Sequence, residues 1–274
     1  MAGRRGAYGL ALTGVDAAAD LLVPAGEDWP SMELAWRRGR TSPPQQWVRP
    51  DGALLRLRTG GQVEVDRVAG RAVFTLPARP HAADLVHPYL APVAALSAHW
   101  LRRESLHAGA VAMESGAWAV MGDKGAGKSS LLASLALAGH PIVSDDVLVV
   151  DESGRVLLGP RSIDLRVDAA RRFGVGEPAR ARGPEERRRM AAPAPAVAPR
   201  LAGLVVLRWA DEMVVRSVPP GERLEALAAQ RVMGIPPADP SRLLELGCLP
   251  MLELSRPRDW RAAGEATSCL LEAL

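Results

Sequence analysis

The sequence predicts an α/β fold: a mixed sheet with helices over residues 84–274, preceded by a small β-rich N-terminal domain over residues 1–83. Two patterns predict it. Residues 117–139, AWAVMGDKGAGKSSLLASLALAG, pass from an apolar run through a glycine-rich loop into an apolar-faced helix. Residues 47–76 alternate apolar and polar side chains between glycine turns, the period of half-buried strands. The chain has 274 residues, of which 48% are hydrophobic and 24% charged, enough for one large domain or two modest ones.

Taken in order, residues 1–46 show no clear period and contain a proline break at TSPPQQ. Their short apolar start is interrupted by glycine and followed by Asp16 and Asp20, so it reads as part of the fold rather than a cleaved leader. ALLRLR, QVEVDR and RAVFTL form an antiparallel meander, with TGG as one turn. A helix is expected after Pro92, running to about Glu104. GAVAM and AWAVM flank the turn ESG as a hairpin, and pairing Met113 with Ala117 would bring residue 108 opposite Gly122. The helix from Lys128 to Ala138 stops at Gly139. PIVS, VLVVD and RVLLG continue in strands. Residues 179–200, rich in Arg, Ala and Pro and without period, read as a flexible basic loop that could cover an anionic ligand. LAGLVVLRW returns to a buried strand, and GERLEALAAQRVM and DWRAAGEATSCLLEAL read as helices.

Gly122 to Ser129 fit G-x-x-x-x-G-K-[ST] at every fixed position. The glycines let main-chain N–H groups turn inward around phosphate oxygens, and the helix that starts there points its positive end at the same anion. Gly122, Asp123, Lys124, Gly125, Ala126, Gly127, Lys128, Ser129 and Ser130 are therefore expected to contact a nucleotide, with Lys128 on the outer phosphates and the Ser129 hydroxyl on Mg²⁺. The chain has only two lysines, Lys124 and Lys128, among 34 basic residues. A lysine at position 128 of an arginine-biased chain implies that a compact ammonium is wanted there.

Asp145 and Asp146 follow by one helix and one strand, where a metal-linked acid belongs. Neighbours on a regular strand face opposite sides, so both reach one site only if the strand ends there. His107 falls beside the mouth of the loop in the hairpin register above, which suits a phosphate contact or proton relay. His81, His87, His99 and His140 read as surface or helix-end residues.

In this order LHAGAVAM, GDKGAGKSS, GHPIVSDD and GPRSIDLR resemble the catalytic domain of HPr kinase/phosphorylase, over about residues 84–210. The likeness is closer to the serine-kinase homologues of lasso peptide biosynthesis. It implies a P-loop core like the C-terminal domain of that family, with a mixed sheet, and ATP-dependent transfer of the γ-phosphoryl group to a serine hydroxyl. By the resemblance, one of Asp145 and Asp146 is the general base, Asp164 stands where the family carries a metal-binding glutamate, and Arg166 matches an arginine near the phosphates. The expected catalytic set is Asp145, Asp146, His107 and Lys128; the expected metal set is Ser129, Asp146 and Asp164. Cofactors would be ATP or another nucleoside triphosphate and Mg²⁺. The acceptor would be a peptide or protein bearing serine, and homo-oligomer formation stays open. The glycine-rich signature used to dock HPr is replaced by VDAARRFG, which argues against HPr as acceptor.

A net charge of +3 and no basic run interleaved with aromatics argue against nucleic acid. No apolar run reaches the roughly 18 residues of a membrane span. Cys248 and Cys269 lack metal spacing, so a reducing cytoplasm is the expected location. A nucleotide hydrolase or switch, a nucleotide-binding scaffold and a small-molecule or phosphorolytic enzyme on the same core remain alternatives.

Overall fold

The computed structural model describes residues 3–39, 46–57, 60–182, 185–232, 237 and 239–274. Within them the chain is a mixed α/β protein. Strands from Arg5–Ala7 to Arg71–Leu76 build an eight-stranded sheet. The meander expected at 47–76 is present, its four strands pairing antiparallel in sequence order. It is only half of that sheet. Residues 5–38 add further strands, and the Ser31–Arg38 strand joins the two halves by parallel pairing on both sides. Several of these strands have only two to four residues, too short to show a period. Most of the proline break at 41–46, Thr59 of the TGG turn, residues 183–184 of the basic stretch and Met233 lie outside the described residues.

One apolar cluster crosses residue 84. It joins Leu10, Leu34, Val63 and Phe74 of this sheet to Leu90, Val93 and Leu96 of the next helix and to Val147 and Val149. That helix spans Leu90–Trp100, starting two residues before Pro92 instead of after it. Proline lacks only an N–H that the first turn does not use, so it is accommodated there.

The second large sheet has six strands in the order Ile142–Ser144, Gly109–Met113, Gly116–Met121, Leu201–Trp209, Met251–Arg256 and Val214–Ser217. Its three central strands, from Gly116–Met121 to Met251–Arg256, run parallel; the flanking pairs are antiparallel. The period of two explains its layering. Trp118 and Val120 pack with Leu131, Leu132 and Leu135 of the Lys128–Leu137 helix and with Leu270 of the last helix. Ala117, Ala119 and Met121 face the other way, with Leu148, Leu227 and Leu246.

The hairpin register corrects the expectation by one residue: Met113 pairs with Gly116 and Gly109 with Val120. The turn is only Glu114–Ser115, and Gly116 takes φ +127°, where a side chain would be strained and a Cβ would lie 2.6 Å from Arg200 O. Continuing that register sets residue 107, not 108, opposite Gly122.

The basic stretch is the larger correction. Up to Ala191 its described parts belong to two strands, Glu177–Arg182 and Glu185–Ala191, and the second pairs with Ser162–Arg166, while residues 192–199 run without helix or strand. What holds it is long-range: Met190 and Ala192 enter the core beside Ile163 and Leu165. No helix among the described residues is long and apolar enough to cross a membrane. Cys248 and Cys269 are both free thiols.

Leu132 is fully buried between helix and sheet, and a Cβ on the facing Gly109 would lie 2.3 Å from its Cδ1. With so little room to collapse, Leu132→Ala is expected to lower unfolding free energy by about 2–5 kcal/mol. Urea denaturation at constant slope checks this.

Candidate functional site

The glycine-rich loop leaves the Gly116–Met121 strand at its C-terminal end, beside the ends of the other two parallel strands. Such ends are where ligands bind in open α/β sheets. Residues 122–130 line an open cleft of about 2140 Å³ shared with His107, Asp145, Asp146, Asp164 and Arg166. Gly127 has φ +87°, and a Cβ there would lie 2.6 Å from the Arg256 guanidinium. It starts the Lys128–Leu137 helix with no side-chain cap, so first-turn N–H groups face the cleft without that partner.

Lys128 is buried and curls back on its own loop. Its Nζ donates to Gly122 O at 2.6 Å and lies 3.5 Å from Asp123 O. Burial lowers its pKa, while Asp146, Asp145 and Asp123 oppose that shift. Asp123, Lys124 and Gly125 are exposed at the loop tip.

The paired acids occupy different environments. Ile142–Ser144 ends at Asp145, and Asp146 takes φ +75°, a left-handed turn that aspartate tolerates better than most residues. The next strand, Leu148–Val150, belongs to another sheet. This break lets both acids meet the cleft. Asp145 is 4% exposed; its Oδ1 accepts from Ser129 Oγ at 3.0 Å and its Oδ2 from Asp164 N–H at 3.2 Å. Desolvation raises its pKa to about 6 against the opposing charge of His87; Asp146 and Asp164 add to the rise. The Asp146 side chain is 38% exposed and lies 3.4 Å from His107 Nδ1, which also contacts Asp146 O at 3.0 Å. His107 N–H donates to Gln230 O. With its amide nitrogen turned toward them, Gln230 donates to both His107 O and Gly122 O at 3.2 Å. Gln230 thus fastens His107 to the loop, a role the sequence did not announce.

Ser129 is bonded to Asp145, not Asp146. Asp164 is held by Arg189, whose Nε and Nη2 lie 2.8 and 3.1 Å from its two oxygens, so it is engaged by a cation of the protein. Arg189 also donates to Ala83 O and His87 O. Among the described residues no cluster of three or more His, Cys, Asp or Glu could hold a metal. A hydroxyl and one carboxylate beside a phosphate loop nevertheless fit Mg²⁺, which keeps its waters and uses few protein ligands.

His87 corrects the surface reading. It is 4% exposed, with Nε2 3.6 Å from Asp164. Its sequence position, before a proline and far from the loop, gave no sign of this. Arg166 is exposed at the cleft edge, opposite Arg187 in the strand register. Arg256 and Trp209 were also missed: both touch the main chain of the loop.

A scan against protein-family models finds no match to this chain, and a search of curated proteins finds none. Among solved structures the chain is similar to the Hpr(Ser) kinase/phosphatase from Coxiella burnetii, with a TM-score of 0.30 and 11% identity, over 62% of this chain and 95% of that one. So loose a likeness leaves the site to rest on this chain's own geometry.

The raised pKa of Asp145 has a signed consequence. Its contribution to stability is fully present below its unfolded value near 4 and is lost as pH rises through about 6. Asp145→Asn removes the buried charge, and an amide can still accept from Asp164 N–H and donate to Ser129 Oγ. The variant's thermal midpoint is expected to gain on wild type between pH 4 and pH 7. A constant difference across that range would refute the assignment.

Proposed function

We propose that the cleft binds a nucleoside triphosphate, with ATP as the donor, and transfers its terminal phosphoryl group to a hydroxyl. One observation carries the reading. A strand–glycine loop–helix unit presents an ammonium and a hydroxyl to the same cleft as two acids of unequal exposure.

The division of labour follows from that inequality. Both Asp145 oxygens are engaged, by Ser129 and by the Asp164 N–H, which leaves Asp146 the better placed to take a proton. Ser129 and Asp145 would hold magnesium, which supplies charge neutralisation on the phosphates. Asp146 faces the cleft and is the base: it takes the proton of the acceptor hydroxyl as that oxygen attacks the terminal phosphorus. The bond to the bridging oxygen breaks and the nucleoside diphosphate leaves. His107 orients Asp146 by donating from Nδ1 to its main-chain oxygen. Lys128 exchanges Gly122 O for phosphate oxygens and offsets their growing charge. Arg166 stands at the cleft edge for the same anion. The acceptor we favour is a serine on a peptide or protein, because the cleft is open and continues past His87 to Trp47 and Leu55 of the N-terminal sheet, more room than a nucleotide fills.

Intact-mass analysis of serine peptides incubated with MgATP tests this. Wild type is expected to add one phosphoryl group, and Lys128→Ala none. Asp146→Asn should slow transfer by about 10²-fold or more while binding nucleotide as before. Normal transfer by Asp146→Asn would overturn the base assignment. Release of phosphate with no acceptor modified, whatever hydroxyl is offered, would favour a hydrolase.

A further inference from the structure

The main chain of the phosphate loop is held by two side chains from the ends of neighbouring strands, and both line the same cleft. Trp209 and Arg256 end Leu201–Trp209 and Met251–Arg256, and they stand opposite each other in the parallel register. Trp209 Nε1 donates to Gly125 O at 3.1 Å. Arg256 Nη2 donates to Ala126 O at 3.0 Å and lies 3.3 Å from Gly127 O. The guanidinium lies over the Trp209 ring, 4.9 Å from its centroid. Two consecutive carbonyls, Gly125 O and Ala126 O, are therefore drawn outward, while Gly127 O also accepts from Leu131 N–H as the helix begins.

In a planar trans peptide the carbonyl and the following N–H point opposite ways. Drawing back the Ala126 carbonyl turns the Gly127 N–H to the cleft side, and the start of the helix sets the Lys128 N–H beside it. The Ala126 N–H closes the loop on Asp123 O instead.

Arg256 is also unusual as a charge. It is 5% exposed, its Nε has no hydrogen-bond partner, and among the described residues no carboxylate pairs with it. The nearby acid Glu253 is already engaged by Arg208 and Arg216. Burial lowers the pKa of Arg256 to about 10, which leaves it a cation at neutral pH. A buried cation without an acid is costly unless an anion comes close. The place an anion can come is the cleft that the loop and Arg256 both line.

We propose that Arg256, backed by Trp209, is a positioning residue for the phosphate loop and supplies a fixed positive charge that favours a linear polyphosphate in it. This rests on the nucleotide reading above and adds to it a determinant outside the G-x-x-x-x-G-K-S stretch.

The test uses the full chain, with MgATP and inorganic tripolyphosphate titrated calorimetrically at several salt concentrations. Arg256→Met is expected to weaken both ligands by at least about ten-fold and to flatten the salt dependence of tripolyphosphate binding. Arg256→Lys should keep the salt dependence but lose about three-fold or more in affinity, because one ammonium cannot reproduce the fork. Trp209→Phe keeps a ring under the guanidinium and loses only the bond to Gly125 O, so a smaller loss of about two-fold or more is expected. Arg256→Met binding both ligands like wild type, with unchanged salt dependence, overturns the inference. If that variant does not fold, unaltered affinity in both Arg256→Lys and Trp209→Phe overturns it equally. Wild type that takes up neither ligand overturns the nucleotide reading, and this inference with it.

Discussion

The site depends on a carboxylate taken out of water. Asp145 accepts from the Ser129 hydroxyl at the start of one helix and from the Asp164 N–H in a neighbouring strand. Its own carbonyl accepts from the buried Tyr8 hydroxyl of the N-terminal sheet at 3.3 Å. A buried carboxylate is tolerated only when its oxygens are satisfied, so these bonds fix where helix, strand and sheet meet. The left-handed turn at Asp146 then gives the next carboxylate the opposite fate, half in water and beside His107. Two adjacent identical residues acquire different chemistry from one backbone torsion.

Around this pair the charges are arranged in alternation. Asp164 backs Asp145 and is itself held by Arg189, which also ties down the carbonyls of Ala83 and His87. The strand that brings Arg189 is part of the stretch whose composition suggested a loop. Its arginines are structural as well as basic: one is spent neutralising a buried acid, while Arg187 lines the cleft beside Arg166. Against the loop, Arg256 has no acid paired with it among the described residues. Acids and cations thus alternate around the cleft, with Asp145, Asp146 and Asp164 set among Lys128, Arg166 and Arg187.

The parts legible in the sequence were those whose chemistry demands fixed local spacing. The loop from Gly122 to Ser129, its flanking strand and helix, and the acid pair could be found because glycines, lysine and serine must stand at set intervals for amides and side chains to converge. The hairpin was legible too, but its register was not: whether two or three residues turn at Glu114 depends on one glycine's torsion. Illegible were contacts between residues far apart in the chain. His87 meets Asp164, Arg256 meets Ala126, and Gln230 bridges His107 and Gly122 across large separations. No local pattern encodes such pairs. The strands at 177–191 and at 5–38 were missed for a related reason: their stability comes from sheet partners elsewhere, not from their own alternation.

The proposed phosphoryl transfer requires that the loop from Gly122 to Ser129 grip a triphosphate. Phosphorus NMR of a nucleotide added to the intact protein in the presence of magnesium tests it most directly. Saturable shift and broadening of the β- and γ-phosphorus signals are expected at one nucleotide per chain. Signals unchanged in position and width at millimolar protein, for both ATP and GTP, would contradict it.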